Sequence, residues 1–191
     1  GARVVAVEPQ PSACRVLRLM FGRDQNVTLV QAAVGDCTGF ITLRVNSRNP
    51  TVSTASDDFV AAADGAVGWE DQRWDQTLSV PATTLDELIR RHGMPSFVKI
   101  DVEGFEHHVL AGLSRALPAL SFEFTTIQRA VAQACIERLM QLGNYRFDVA
   151  LGESQALVLG RWVDAKTMTE HILGLPHAAN SGDVYAIIAP G

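Results

Sequence analysis

The sequence predicts an α/β fold built on a largely parallel, doubly wound sheet. Short β-branched runs alternate with helical segments along most of the chain, which is typical of parallel strands joined by helical crossovers. The chain has 191 residues, of which 47% are hydrophobic, and this is enough for one domain with its own core. We therefore expect a single domain over residues 1–191, with ligands bound beyond the carboxyl ends of its strands.

The first half of the chain predicts three strands, with the sequences RVVAV at 3–7, VTLVQAAV at 27–34 and FITLRV at 40–45. Pro9 and Pro11 end the first strand, and Ser12 is a candidate N-cap for the helix that ACRVLRLMF predicts. Residues 46–77 are polar, carry two tryptophans and show no periodicity, so we expect an insertion that forms a mobile lid.

The second half predicts four further strands, SFVKID, ALSFEFT, YRFDVAL and DVYAIIA, with helices between them. Thr84 can cap the helix in TTLDELIRRHG, because Glu87 follows three residues later, and Gly93 can end it. A second helix follows SFVKID, a third covers residues 128–142 with an apolar stripe, and a capped helix lies near 164–173. The last two strands are close enough in the chain for one of them to run antiparallel.

Composition and charge exclude several classes of partner. The chain carries 16 Lys and Arg against 21 Asp and Glu, a formal charge of −5, and its basic residues are scattered, so a nucleic-acid backbone is not the expected partner. No apolar run is as long as a membrane span, and no signal-peptide pattern begins the chain. The three cysteines, Cys14, Cys37 and Cys135, have no metal-type spacing and suit a reducing cytoplasm. We expect a cytoplasmic protein with a small-molecule partner.

Acidic residues stand where several predicted strands end. Glu8 follows RVVAV directly and can accept hydrogen bonds from both hydroxyls of a ribose, or it can be a solvated residue at a strand end. Asp36 lies between two glycines in VGDCTG, where the backbone can approach a flat ligand closely. It can accept a hydrogen bond from an adenine amino group, or it can close an Asx-turn. Glu123, within ALSFEFT, is a further candidate.

The stretch VKIDVEGFEHHVL, residues 98–110, concentrates three acids where a buried strand passes into a helix. Asp101 ends the strand, and a charge there costs free energy unless it meets a ligand or a partner. Glu103 lies in the turn, where Gly104 allows an unusual backbone angle. Glu106 falls in the first helical turn, whose free N–H groups favour an anion, so we expect it to grip the backbone. Asp101 and Glu103 are then left to face a ligand crevice.

Two adjacent histidines, His107 and His108, follow on the same helix. Neighbours on a helix diverge by about 100° around its axis, so the pair is poorly placed to share a metal ion. We expect both to be surface residues, and we expect no metal site.

Three stretches, VVAVEPQPSACRVL, VTLVQAAVGDCTG and above all FVKIDVEGFEHHVLAGL, resemble the FkbM family of S-adenosylmethionine-dependent methyltransferases. The match in order and spacing covers most of residues 3–125, and IDVEGFE is a fairly specific motif. The resemblance implies the class I, Rossmann-like methyltransferase sheet, which is mostly parallel with one antiparallel strand. It also implies S-adenosylmethionine as the cofactor and O-methylation of a hydroxyl on a sugar or polyketide-like acceptor.

The same resemblance implies a cofactor site and a neighbouring methyl-transfer site. In the cofactor site, Glu8 would hold the ribose and the GDC stretch would lie near the adenine. The residues of the cofactor site would be Glu8, Pro9, Asp36, Cys37 and Asp101. Asp101 and Glu103 would border the methyl-transfer site, and Glu123 would face the acceptor. From the length and polarity of the expected lid, we also expect Ser53 and Thr54 to lie nearest the methyl group.

The start of the chain departs from the family pattern. The glycine-rich loop expected after the first strand, where the methionine part of the cofactor rests, is missing, and the chain begins at what would be the second strand. We expect an upstream segment to fill a slot of about 9–10 Å, two strand spacings, between RVVAV and SFVKI. The alternatives are direct pairing of those two strands, or a strand donated by another chain in a homo-oligomer.

Three functions are open at this point. Methyl transfer needs an aligned acceptor and a group that removes its proton, and Asp101, Glu103 or Glu123 could be that base. A non-catalytic nucleotide-binding or interaction module derived from a methyltransferase is the second. A nicotinamide-dependent oxidoreductase could hold a ribose through Glu8 in the same way, but it explains neither IDVEGFE nor the missing loop.

Overall fold

A computed structural model of the chain describes residues 1–154 and 156–189. The nine strands within these residues are β1 (Val4–Val7), β2 (Val27–Val30), β3 (Ala33–Val34), β4 (Gly39–Val45), β5 (Gln76–Thr83), β6 (Val98–Ile100), β7 (Ala119–Thr125), β8 (Tyr145–Leu151) and β9 (Ser181–Ile188). The six α-helices are α1 (Pro11–Phe21), α2 (Asp57–Ala63), α3 (Leu85–His92), α4 (Glu106–Ala111), α5 (Arg129–Leu142) and α6 (Ala165–Gly174). Short 3₁₀ turns lie at Pro50–Val52, Gly152–Ser154 and His177–Ala179.

The strands form three hydrogen-bonded sheets, with the orders β1-β2, β3-β5-β4 and β6-β7-β9-β8. The pairs β1/β2, β3/β5 and β6/β7 are parallel, which confirms the predicted α/β class with parallel strands. In the four-stranded sheet β9 runs against its neighbours β7 and β8. β4 also runs antiparallel to β5, and the sequence did not predict this second reversal.

The predicted strand 27–34 is in fact two strands that belong to different sheets. β2 pairs with β1, whereas β3 pairs with β5. Gln31 and Ala32 carry the chain from one sheet to the other. The sequence could not show this change of partner, because the apolar pattern continues through it.

The predicted slot concerns the free edges of β1 and β6. Among the described residues, β1 is hydrogen-bonded along one edge, to β2, and β6 along one edge, to β7. Val4 and Val5 of β1 remain 47% and 39% exposed, and Phe97, just before β6, is 49% exposed. Direct pairing of β1 with β6 is therefore absent from this part of the chain, and a strand between them stays a prediction.

The main core lies on one face of the four-stranded sheet. Leu120, Phe122 and Phe124 alternate along β7 and are at most 3% exposed. They pack with the buried stripe of α5, which consists of Ala132, Cys135, Ile136 and Leu139. Burying a large apolar side chain contributes about 1.5–3 kcal/mol, so this layer fixes β7 firmly. Because side chains alternate along a strand, Glu123 projects from the opposite face.

Helix caps show where local sequence predicts structure well and where it does not. The hydroxyl of Thr84 accepts a hydrogen bond from the Glu87 N–H at 3.1 Å, as expected for α3. Ser12 was expected to cap α1, but this was wrong, because the helix begins at Pro11 and Gln10 occupies the N-cap position without a side-chain bond. The fixed φ of proline suits the first helical position, so the helix starts one residue before the serine.

The segment predicted as a mobile lid, 46–77, contains some regular structure, and its mobility stays a prediction. Between β4 and β5 it contains a 3₁₀ turn and α2, and we call its residues 46–75 the insertion. Phe59 is fully buried at its centre, and the rings of Trp69 and Trp74 meet it edge-on at 5.1 and 6.0 Å. This aromatic packing joins residues that lie ten or more positions apart in the chain, so the periodicity of the sequence does not predict it. None of the helices in the described parts of the chain combines the length and the hydrophobicity that a membrane span requires.

Candidate active site

Three carboxyl groups meet at the carboxyl ends of β6 and β7. Asp101 follows β6 directly, and the parallel register that joins Ile100 to Phe122 sets Asp101 beside Glu123. One carboxylate oxygen from each of Asp101, Glu103 and Glu123 lies within 4.8 Å of the others. We call these three residues the carboxylate cluster. The parallel pairing thus brings together residues that the sequence could only place separately.

The turn that carries two of these acids has an unusual backbone. Glu103 has a φ of +54° and Gly104 a φ of +84°, so both residues adopt left-handed conformations. Glu106 lies beneath them, only 2% exposed, and its Oε1 accepts hydrogen bonds from the N–H groups of Val102 at 3.2 Å and Gly104 at 3.1 Å. The prediction that Glu106 grips this turn is confirmed. We call residues 101–106 the acid turn.

Burial keeps protons on the cluster. It raises the pKa of Glu103 to about 8, with a smaller contribution from the charge of Asp101. Burial likewise raises the pKa of Glu106 to about 7, against the effect of its backbone hydrogen bonds. Burial, and after it the charges of Glu103 and Asp101, hold the pKa of Glu123 well above its usual range. Near neutral pH, Glu103 and Glu123 are therefore mostly carboxylic acids.

A single lysine lies beside the most exposed of the three acids. Lys99 Nζ is 3.3 Å from a carboxylate oxygen of Asp101 and 3.3 Å from one of Asp183. The Asp101 side chain is 46% exposed, so solvent and small molecules can reach it. Lys99 and Asp183 were not predicted from the sequence, although Lys99 and Asp101 are two residues apart and therefore share a face of the sheet.

Two buried oxygens next to the cluster lack partners among the described residues. They are Glu123 Oε2 and Gln128 Oε1, and both residues line a cavity of about 10 Å³ together with Gly104 and Glu106. This volume is close to that of a single water probe. A proton on Glu123, or a water molecule between the two side chains, would satisfy these acceptors.

The cluster also offers the oxygen ligands that a hard divalent cation prefers. Among the described residues, the carboxylate cluster is the one group of at least three Asp, Glu, His or Cys side chains whose ligand atoms lie close enough together to share a metal ion. The excess of acid can therefore be compensated by bound protons or by a cation. The absence of a metal stays a prediction.

Glu8 lies at the end of β1 and is half-buried at the start of α1. Its Oε1 accepts a hydrogen bond from the Gln10 N–H at 2.6 Å, and its carbonyl oxygen accepts one from the Cys14 thiol at 3.1 Å. Burial raises the pKa of its carboxyl. The adjoining Pro9 is also half-buried. The carboxylate is thus held in place by the helix start, which the sequence did not predict.

Asp36 and Cys37 follow β3, and Asp36 lies against the start of α4. Asp36 Oδ2 is 3.5 Å from Nδ1 of His108, whose ring stacks on Phe105 at 4.2 Å. Both predicted surface histidines are therefore partly buried, and burial together with the neighbouring His108 lowers the pKa of His107. Phe105 belongs to the acid turn, so this stacking joins the GDC loop to it.

The expected acceptor contacts Ser53 and Thr54 behave differently from each other. Ser53 is half-buried and donates its hydroxyl to the carbonyl of Pro50 at 2.8 Å. Thr54 is fully buried and donates its hydroxyl to the carbonyl of Glu103 at 2.6 Å. The expectation for Thr54 is corrected on this point, because its hydroxyl is engaged with the acid turn and is not open to an acceptor.

Comparison with known families places this geometry in context. Residues 1–148 match the family described as the methyltransferase FkbM domain. No curated protein and no solved structure matched the chain. The matched residues include the whole carboxylate cluster, and also Glu8 and the GDC loop. They make up well over half of the sequence. The chain therefore belongs to the FkbM methyltransferase family.

Proposed function

We propose that this protein transfers a methyl group from S-adenosylmethionine to a hydroxyl of a neutral, sugar-like or natural-product-like acceptor. The observation that carries the proposal is the carboxylate cluster at the ends of the parallel strands β6 and β7, in a chain of the FkbM methyltransferase family. Ligands of open α/β sheets bind at such strand ends. The family membership also makes a non-catalytic module the less favoured alternative.

The residues at the other strand ends fit a nucleoside. Glu8 is a positioned, half-buried carboxylate at the end of β1, and it would accept hydrogen bonds from the ribose hydroxyls. Asp36, with a side chain 52% exposed, would meet the adenine edge, and Pro9 and Cys37 would adjoin these two groups. When bound, S-adenosylmethionine supplies an electrophilic methyl group on a sulfonium.

Asp101 is the group best placed to receive the proton of the acceptor hydroxyl. It is the most accessible member of the carboxylate cluster, and Lys99 Nζ lies 3.3 Å from its carboxylate. The acceptor oxygen would take the methyl group as the carbon–sulfur bond of the sulfonium breaks, which leaves S-adenosylhomocysteine as the departing thioether. The hydroxyl proton would pass to a carboxylate oxygen of Asp101. Glu103 and Glu123, protonated near neutral pH, would donate hydrogen bonds that orient the acceptor.

The charge of the site favours a neutral acceptor. A phosphorylated or carboxylated acceptor would bring another anion beside the Asp101 carboxylate, and like charges at close range repel. A hydroxyl, in contrast, can donate to a carboxylate and accept from a carboxylic acid at the same time. The cluster supplies both kinds of group.

Calorimetry with S-adenosylhomocysteine tests the cofactor part of the proposal. Glu8→Ala should weaken binding by about 1–3 kcal/mol, the scale of hydrogen bonds to a charged group. Glu170→Ala is the matched control, because this glutamate is 67% exposed on α6 and pairs only loosely with Lys166 at 3.9 Å. Wild-type affinity in Glu8→Ala would remove Glu8 from the site, and binding of NAD in place of S-adenosylhomocysteine would overturn the proposed cofactor. Transfer of labelled methyl to a panel of neutral sugars then identifies the acceptor class.

A further inference from the structure

Glu103 is held in a conformation that an isolated glutamate rarely adopts. Among the described residues, Glu103 and Asn180 are the two residues other than glycine that have a positive φ. A left-handed residue with a Cβ persists only where its surroundings impose it. The contacts that impose it therefore also decide where the Glu103 carboxyl lies.

One of these contacts comes from the insertion, 49 residues earlier in the chain. Thr54 Oγ1 donates a hydrogen bond to the carbonyl oxygen of Glu103 at 2.6 Å, and Thr54 Oγ1 itself accepts one from the Ser56 N–H at 2.9 Å. The hydroxyl thus acts as donor and acceptor at once, which leaves it a single orientation. Thr54 is fully buried, so water cannot replace either bond.

The backbone of Thr54 is fixed as firmly as its side chain. Its N–H and carbonyl both pair with Arg44 of β4, at 2.9 and 2.7 Å. The guanidinium of Arg44 in turn binds Asp57, at the start of α2, at 2.7 Å. The hydroxyl that holds Glu103 is therefore anchored to a strand and not to a loose loop.

We propose that Thr54 is a positioning residue for methyl transfer, and that its hydroxyl fixes the left-handed backbone of Glu103 so that the Glu103 carboxyl stays inside the carboxylate cluster. Thr54 acts through Glu103 and need not touch the acceptor. This inference rests on the proposed function, since it assigns to the insertion the task of keeping the catalytic acids in register. It adds a residue that neither the motif nor the strand order indicates.

The test compares two substitutions of Thr54 with a control in the same segment. Thr54→Val keeps the shape of the side chain and removes the hydroxyl, whereas Thr54→Ser keeps the hydroxyl. Thr51→Val is the control, because within the described residues the exposed Thr51 hydroxyl bonds only the Asn49 side chain, at 2.7 Å. Circular dichroism and thermal unfolding establish that each variant is folded.

In steady-state assays, Thr54→Val should lower kcat about 10- to 100-fold, the range expected for a displaced catalytic group, and should alter its pH profile. The KM for the acceptor should stay near the wild-type value. Thr54→Ser should recover most of the rate, and Thr51→Val should match the wild type. A raised KM with unchanged kcat would overturn the proposal, and so would equal loss in the valine and serine variants.

A second readout does not depend on activity. The glutamate carboxyls can be titrated by ¹³C NMR, and in Thr54→Val the relaxed turn should expose Glu103 and move its pKa down towards the ordinary value. An unchanged Glu103 titration would overturn the positioning role. If the wild type binds no S-adenosylhomocysteine and transfers no methyl, the proposed function fails, while this titration still decides whether Thr54 holds Glu103.

Discussion

Substituting Gly104 by alanine tests how tightly the acid turn is packed. The residue has a φ of +84°, and a Cβ built on it would lie 2.7 Å from Cδ2 and 2.9 Å from Cβ of Phe59 and would also collide with Gln128 Oε1. Two costs therefore combine in Gly104→Ala. One is the left-handed backbone, and the other is the collision with a fully buried ring.

The two costs can be separated in magnitude. A left-handed alanine costs about 1–2 kcal/mol. Overpacking a core contact costs about 1–3 kcal/mol more, because Phe59 is wedged between two tryptophans and cannot retreat freely. Gly104→Ala should thus lower the free energy of unfolding by about 2–5 kcal/mol. Gly68→Ala is the matched control. Its φ of +88° is nearly the same, and among the described residues no atom lies within 4 Å of a Cβ built on it, so only the backbone cost remains.

Urea unfolding of both variants measures the difference. Phe59→Leu, combined with Gly104→Ala, adds a double-mutant cycle, in which the smaller side chain should relieve part of the collision and make the two costs less than additive. The reasoning is refuted if Gly104→Ala is no more harmful than Gly68→Ala. Full additivity with Phe59→Leu would likewise show that the ring does not press on the turn.

Two further predictions concern the acids themselves. Asp101→Asn should lower kcat by about 10²–10⁴-fold, the contribution of a positioned base, with a melting temperature close to the wild type; initial rates and thermal unfolding check this, and an active variant would exclude Asp101 as the base. The pKa of Glu106 is raised from 4.5 to about 7 by burial, so its stabilising protonated form is fully present below pH 4.5 and is lost as the pH rises through 7. Stability should fall over that window by about 3 kcal/mol, at 1.36 kcal/mol per pKa unit, with Glu103 extending the fall towards pH 8. Unfolding curves from pH 5 to 9 test this, and Glu106→Gln should flatten the slope.

The parts of the fold that the sequence predicted depend on local chemistry. The cap at Thr84 joins residues three apart in the chain, and the hydrogen bonds of Glu106 to the N–H groups of Val102 and Gly104 join residues four and two apart. The position of Asp101 after a buried strand follows from the alternation of strands and helices. In each case the determining interaction spans only a few residues.

The parts of the fold that could not be predicted from the sequence depend on contacts between distant segments of the chain. The bond from Thr54 to Glu103 and the packing of Phe59 on Gly104 each span more than 40 residues, and a single sequence carries no record of such contacts. The change of sheet between β2 and β3 is set by which strand lies next to each. The wrong prediction for Ser12 has a local cause. Serine favours the N-cap position and proline favours the first helical position, and the helix begins at Pro11.

Burial, rather than residue type, divides the roles among the acids of the site. Glu103, Glu106 and Glu123 are all shielded from water, and their pKa values are raised in consequence, so each can hold a proton near neutral pH. Asp101 is the acid that faces solvent beside Lys99. One accessible carboxylate supported by neighbouring carboxylic acids can take a proton from a hydroxyl while the acids donate hydrogen bonds to the same oxygen, and these two tasks require opposite protonation states. On the proposed function, the insertion would matter to the chemistry, because its Thr54 bonds the Glu103 carbonyl and its Phe59 packs against Gly104.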